Sequence, residues 1–394
     1  MSSLKYKNGH IKTNKSVNSS CNLGRISLYC EKFRNEKFRN MENPFKFGTV
    51  VDGKYFTDRK EERAYLAQIL DSPNHAVLIS PRRFGKSSLV KEVLNSQKRE
   101  VIFVNLQTIT SVHKLAEALY RQFFFTRPLE KAKHYLPRLR VAPTVSYNPQ
   151  TEAPEFSLQP TSDKKVILED AFSLLEKAGG KKRLIVVLDE FPEILEIDKG
   201  LDKMLRSIMQ EQKNINYILM GSQEDMMKII FLRKKSPFYH FGSIIHLDRI
   251  PESDFRRYIE ERLPAPYQGR GIAEEILSFT SCHPYYTQQL AFQVWFELQQ
   301  GAEVSSVVST AIEHIVRAHD FDYSRLWESM NRTNRFVLLK LATSATPPME
   351  NPELPASTIF SALKRLVHAG ILIKNGKYVY DDPFFKLWVK SIAS

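Results

Sequence analysis

Residues 78–90 read LISPRRFGKSSLV. Within them Ser80, Pro81, Arg82, Arg83, Phe84, Gly85, Lys86 and Ser87 follow the phosphate-binding pattern G-x-x-x-x-G-K-[ST], with serine at the first glycine position. Such a loop works by geometry. A strand delivers the chain, a helix leaves, and the helix N-terminus and backbone N–H groups face the phosphates. AVLI precedes the loop and KSSLVKEVL follows it, which supplies both elements. Gly85 lets the backbone approach phosphate with no Cβ in the way. Lys86 is placed to reach β- and γ-phosphates, the Ser87 hydroxyl to ligate Mg²⁺, and Ser88 stands next in line for the α-phosphate. Position 80 shapes the start of the loop, where a small serine fits. The bland alternative is a basic helix-start turn, and the strand–loop–helix context argues against it.

Two further stretches complete a triphosphate chemistry. LIVVLDE (184–190) is an apolar strand ending in two carboxylates. Asp189 is placed to hold Mg²⁺ through water, and Glu190 to polarise an attacking water as a general base. NYILMGSQED (216–225) is another apolar strand with a polar tip, where Ser222 or Gln223 can sense a γ-phosphate. Capping of the next helix by Ser222 is the structural alternative. A phosphotransferase would share the loop, but the Asp-Glu pair directly after the strand favours hydrolysis.

These residues need a sheet to hold them. From residue 60 onward helical patterns (61–70, 86–94, 112–124, 203–212) alternate with short apolar runs (76–80, 101–106, 183–190, 216–222, 243–247). Near-continuous apolar strands between helices predict an α/β fold with a parallel sheet covered on both faces. We read residues 41–250 as this core. Within it, the proline-rich stretch of about 126–165 carries TVSY and EFSL around NPQTEAP, a β-hairpin inserted on the surface. Residues 251–320 are helical throughout, as a lid requires. Residues 321–394 give helix, helix and a hairpin turning at Asn375-Gly376, a winged-helix pattern. Lys364 and Arg365 fall on its second helix and Lys374 and Lys377 on its wing, which leaves DNA binding, protein docking and an intramolecular role open.

Bulk properties bound the rest. The chain has 394 residues, is 42% hydrophobic and carries a formal charge of +13. Residues 1–40 hold nine Lys/Arg and two Glu, so +7 of that charge sits in a polar tail containing the duplication EKFRNEKFRN. The tail reads as disordered, or as untranslated sequence ahead of a start at Met41. No apolar run approaches the roughly 18 residues of a membrane span, and the start lacks a signal-peptide core. Cys21, Cys30 and Cys282 form neither a disulfide framework nor a zinc site. A soluble, cytoplasmic, reducing setting is the simplest reading.

With those motifs in place the chain resembles the prokaryotic archaeal-type ATPase group, within the AAA+-related STAND class of P-loop NTPases. The resemblance is carried by NPFKFG (43–48), YFTDRKEE (55–62), SPRRFGKSSL (80–89), VVLDEFPEI (186–194), GSQEDMM (221–227), SPFYHFG (236–242) and SCHPYYTQQLA (281–291). It implies a five-stranded core, a helical lid and a winged helix, with ATP and Mg²⁺ as ligands. It implies that Pro284, from the Gly-x-Pro motif of such lids, packs near the adenine, although Cys282 replaces the glycine. It also implies that Phe56 and Arg59 lie near the base, against a simpler reading in which Asp58 caps a helix. His240 stands where many relatives have arginine, leaving Arg233, Arg249 or a homo-oligomer partner's arginine to supply that charge. Two functions fit: a slow Mg-dependent ATPase working as a nucleotide-driven switch, or an ATP/ADP-gated DNA- or protein-binding regulator in which hydrolysis is minor.

Overall fold

The computed structural model describes residues 38, 41–127, 139–141, 143–148, 153–159, 163–343 and 354–393. Most of the expected tail and much of the insertion therefore lie outside the described residues. Nine strands are described: β1 (Ala76–Ile79), β2 (Val101–Asn105), β3 (Thr144–Asn148), β4 (Ala153–Ser157), β5 (Leu184–Asp189), β6 (Ile215–Gly221), β7 (Ser243–His246), β8 (Leu372–Asn375) and β9 (Lys377–Tyr380). Five of them form one sheet in the order β2-β5-β6-β1-β7, with every pairing parallel.

The α/β expectation follows from side-chain alternation. Val77, Ile79, Val186, Leu188 and Leu219 point to one face, where Leu115, Leu119 and Phe172 of the helices Val112–Phe125 and Lys164–Gly179 cover them. Ala76, Leu78, Ile185, Val187, Ile218 and Met220 point to the other. There Leu66, Leu70, Leu89 and Val93 cover them from the helices Lys60–Asp71 and Lys86–Ser96. Both faces are sealed, so the polar groups at the strand ends are the exposed chemistry of the sheet.

The inserted hairpin forms, with β3 antiparallel to β4. It also joins the core: Phe156 is buried and stacks on Phe124 at 4.7 Å, and the Leu158 N–H donates to Glu117 at 2.9 Å.

A second apolar core gathers the helices from Glu252 to Ser391. The chain start docks on this core. Phe45 and Phe38 sit edge-on to Trp295 at 6.2 and 4.9 Å, and the Asn43 side-chain amide donates to Phe292 O at 3.0 Å. Phe38, inside the stretch read as tail, is thus buried.

The start of the helix Lys60–Asp71 corrects the cap expected from Asp58. Asp58 and Arg59 both have positive φ (51° and 61°), Arg59 occupies the cap position, and no side chain caps the helix. The left-handed pair instead accompanies a buried Arg59, which donates to Phe84 O at 3.3 Å and Asp248 O at 2.5 Å.

Gly221, the last residue of β6, has no room for a side chain. A Cβ there would lie 2.8 Å from Pro192 Cδ and 2.6 Å from Met227 Sδ. Gly221→Ala is expected to destabilise the protein by about 1–3 kcal/mol through overpacking. Urea unfolding should show a lower midpoint at an unchanged slope.

Candidate nucleotide-binding site

The loop after β1 leaves an interior strand of the sheet, since β1 pairs with β6 on one side and the edge strand β7 on the other. Lys86, the first residue of the following helix, is only 7% exposed. Its ammonium donates to Ser80 O at 2.9 Å and Pro81 O at 3.1 Å, with Ser80 Oγ at 3.4 Å. Burial pulls its pKa down to about 8, against the opposing pull of Glu190, Asp189 and Glu224. Serine at position 80 is fully buried, and its hydroxyl lies among the polar atoms around the ammonium. Gly85 has φ 90°, and a Cβ built on it would meet nothing within 4 Å. The loop therefore bounds open space beside a buried cation, the shape a phosphate chain needs.

Register in the sheet brings the carboxylates alongside. Asp189 closes β5 opposite Asn105. Burial raises its pKa, while the N–H of Glu190, donated at 3.0 Å, works the other way. Glu190 turns through a left-handed φ of 51°, and its carboxylate accepts from Ser222 N at 3.0 Å and Ser222 Oγ at 2.9 Å. Ser222 does not cap the next helix; Gln223 holds the cap position without a side-chain capping bond, its amide donating instead to Glu193 at 3.3 Å. Arg82 Nε reaches the same hydroxyl at 3.4 Å. The donor set offered by Ser87 and Asp189 is hard oxygen, which fits a Mg²⁺ ion held mainly through phosphates and one or two protein oxygens. Among the described residues no group of three or more His, Cys, Asp or Glu could hold a metal.

The remaining loop residues face other elements. The Ser88 hydroxyl accepts from Val51 N at 3.1 Å and Glu92 from Gly53 N at 2.8 Å, tying the segment before the first helix to the loop helix. Phe84 is buried edge-on to His283 at 4.7 Å. Arg83 donates to the Tyr286 hydroxyl at 2.8 Å. Pro284 opens the helix Pro284–Gln300, one residue after His283 at its cap. Arg249 is committed to Thr280 O and Ser281 O at 3.0 and 2.6 Å. His240 lies elsewhere. It lines a cavity of about 500 Å³ with His75, Arg206 and Phe241, at the end of the sheet opposite the loop.

Sequence reasoning missed the partners of Arg83, which come from positions 200 residues away. It gave a role within HPYY to Pro284 alone, and it passed over Asp381 and Asp382. The one local signal for the latter was an Asp-Pro pair at a helix start: Asp382 accepts from Phe384 N and Phe385 N at 2.8 and 3.1 Å.

A parallel sheet in this order, a phosphate loop after its inner strand β1 and a carboxylate pair on β5 define a P-loop NTPase. The family of ATPase domains found predominantly in Archaea matches residues 56–288, and the chain belongs to it. It is therefore a nucleotide-binding ATPase of the archaeal type. Among solved structures it is similar to the Walker-type ATPase PABY2304 of Pyrococcus abyssi, with 17% identity, TM-score 0.62, and coverage of 88% of this chain and 99% of that one. The Aeropyrum pernix ORC1 protein, solved in complex with DNA, matches at 14% identity and TM-score 0.48, covering 87% of this chain and 94% of that one. No curated protein matches the chain in sequence.

The depressed Lys86 value carries a pH signature. The ammonium is charged below about 8 and loses its proton above, so its attraction for phosphates is lost as pH rises. Titration calorimetry should show ATP affinity about tenfold weaker near pH 9 than near pH 7. Lys86→Met should bind weakly at both and flatten the dependence.

Proposed function

We propose that the chain is a Mg-dependent ATP switch with slow hydrolysis. ATP lies along residues 80–88, held by the backbone of the loop and by Lys86. Ser87 and Asp189 would hold Mg²⁺, which supplies charge neutralisation at the phosphates when bound. Glu190 orients and deprotonates the attacking water, and Ser222 reads the γ-phosphate. Residues 251–320 act as the lid, with Pro284 against the adenine, and residues 321–394 as a winged helix that the switch presents to DNA or a protein.

The observation that carries this reading is the shared bond between Glu190 and Ser222. Both the N–H and the hydroxyl of the sensing tip hold the carboxylate that must meet water. A phosphate that recruits Ser222 frees Glu190, so sensing and chemistry are one event. The basic composition of residues 321–394, ten Lys/Arg against six Asp/Glu, suits an acidic partner. Lys364 and Lys374 also lie over the rings of Phe360 and Tyr378, at 4.6 and 5.7 Å.

Glu190→Gln tests the chemistry and the switch together. It should still bind ATP while turnover falls about 10²–10⁴-fold. Small-angle scattering should find it held by ATP in the conformer that the wild type leaves once its ATP is consumed. Undiminished turnover would remove Glu190 from the reaction. Scattering that is identical with and without ATP, in both proteins, would remove the switch.

A further inference from the structure

Within HPYY (283–286), His283, Tyr285 and Tyr286 take no part in the chemistry above, yet they meet the phosphate loop directly. Arg83 has φ 65°, a left-handed conformation that glycine adopts freely and other residues adopt only at a cost. An arginine at such a position needs a compensating use for its side chain. Here Nη1 donates to the Tyr286 hydroxyl at 2.8 Å, and the guanidinium lies over the ring of Tyr285 at 4.6 Å. The side chain thus grips the helix Pro284–Gln300, while its backbone stays in the loop.

The grip continues inward. His283 is fully buried, and its Nδ1 accepts from Tyr285 N at 3.2 Å and Tyr286 N at 3.5 Å. An imidazole whose Nδ1 accepts carries its proton on Nε2. That atom faces Asp381 Oδ1 at 3.3 Å, off the angle of a good hydrogen bond. Asp381 sits between β9 and the last helix, Pro383–Ser391, and its N–H is donated to Ile371 O at 3.1 Å. Next to it, Asp382 caps that helix and accepts from the Tyr323 hydroxyl at 3.1 Å. The corner before His283 is strained as well: Ser281 and Cys282 have φ 50° and 59°. Left-handed backbone at the loop and at the corner before His283, with side-chain contacts running between them and on to Asp381, marks an element whose position is strictly imposed.

We propose that Arg83 fastens the phosphate loop to the helix Pro284–Gln300, and that His283 and Asp381 are positioning residues that carry movement of the loop to the C-terminal unit. The inference rests on the switch reading and names its linkage. When the loop closes on phosphate, the Arg83 backbone moves and draws Tyr286 with it. His283 then shifts against Asp381, and the β9–helix corner follows.

Hydrogen exchange of the full chain, with and without saturating Mg-ATP, tests this. Saturation of each variant is first confirmed by calorimetry. In the wild type, ATP should change exchange in the last helix. Tyr286→Phe, which removes the hydroxyl that Arg83 holds, and Asp381→Asn, which keeps the shape but removes the charge, should each shrink that change by about fivefold or more while still binding ATP. A full response in both saturated variants overturns the linkage and leaves the switch standing. Failure of Tyr286→Phe alone to bind ATP makes the loop–helix contact a requirement of the site itself and overturns the linkage as well. A wild type whose last helix ignores ATP overturns the linkage and, with unchanged scattering, the switch.

Discussion

A lysine ammonium buried at the end of β1 is the constraint from which the rest of the structure follows. Taking a cation out of water is costly unless acceptors and countercharges surround it. The loop supplies the acceptors by folding its own carbonyls, Ser80 and Pro81, onto Lys86. The countercharges come from elsewhere: Asp189 and Glu190 from the end of β5 and Glu224 from the helix after β6. Only parallel strands deliver all of these at one edge of the sheet. Only a sheet sealed on both faces keeps that edge as its polar outlet. The same burial lowers the lysine and raises Asp189, so both charges are held there against the cost of leaving water.

The loop is joined to distant parts of the chain by side chains that do no chemistry. Arg59 ties the loop at Phe84 to the strand exit at Asp248, and Arg249 ties that same exit to the strained corner at Thr280 and Ser281. Val51 is bonded to Ser88, and the segment ahead of it is anchored on Trp295 through Phe45. The N-terminal segment therefore bridges the sheet and the C-terminal helices. A change at the loop meets resistance from all of these contacts at once, the condition under which small displacements are passed on rather than absorbed.

Much of this was legible in the sequence because it is local. Five apolar runs became the five strands of the sheet, since burial on both faces demands uninterrupted apolar residues. The loop, the Asp189-Glu190 pair and the tip at Ser222 were readable because each is a few consecutive residues with one geometric purpose. Other readings met tertiary effects. Asp58 looked like a helix cap, but Arg59 is buried against Phe84 and Asp248, and the backbone is left-handed at both residues. The hairpin looked like a surface excursion, but Phe156 stacks on Phe124.

By itself, the sequence determined the sheet, the phosphate loop and the identity of the charges around it, because hydrophobic period and loop stereochemistry act over a few residues. Only the tertiary structure decided which neighbours those charges have. That Glu190 rests on Ser222, that Arg83 holds Tyr286, and that His283 faces Asp381 are pairings across 32, 203 and 98 positions. No local periodicity encodes them, because they are set by how two separate cores pack around one loop.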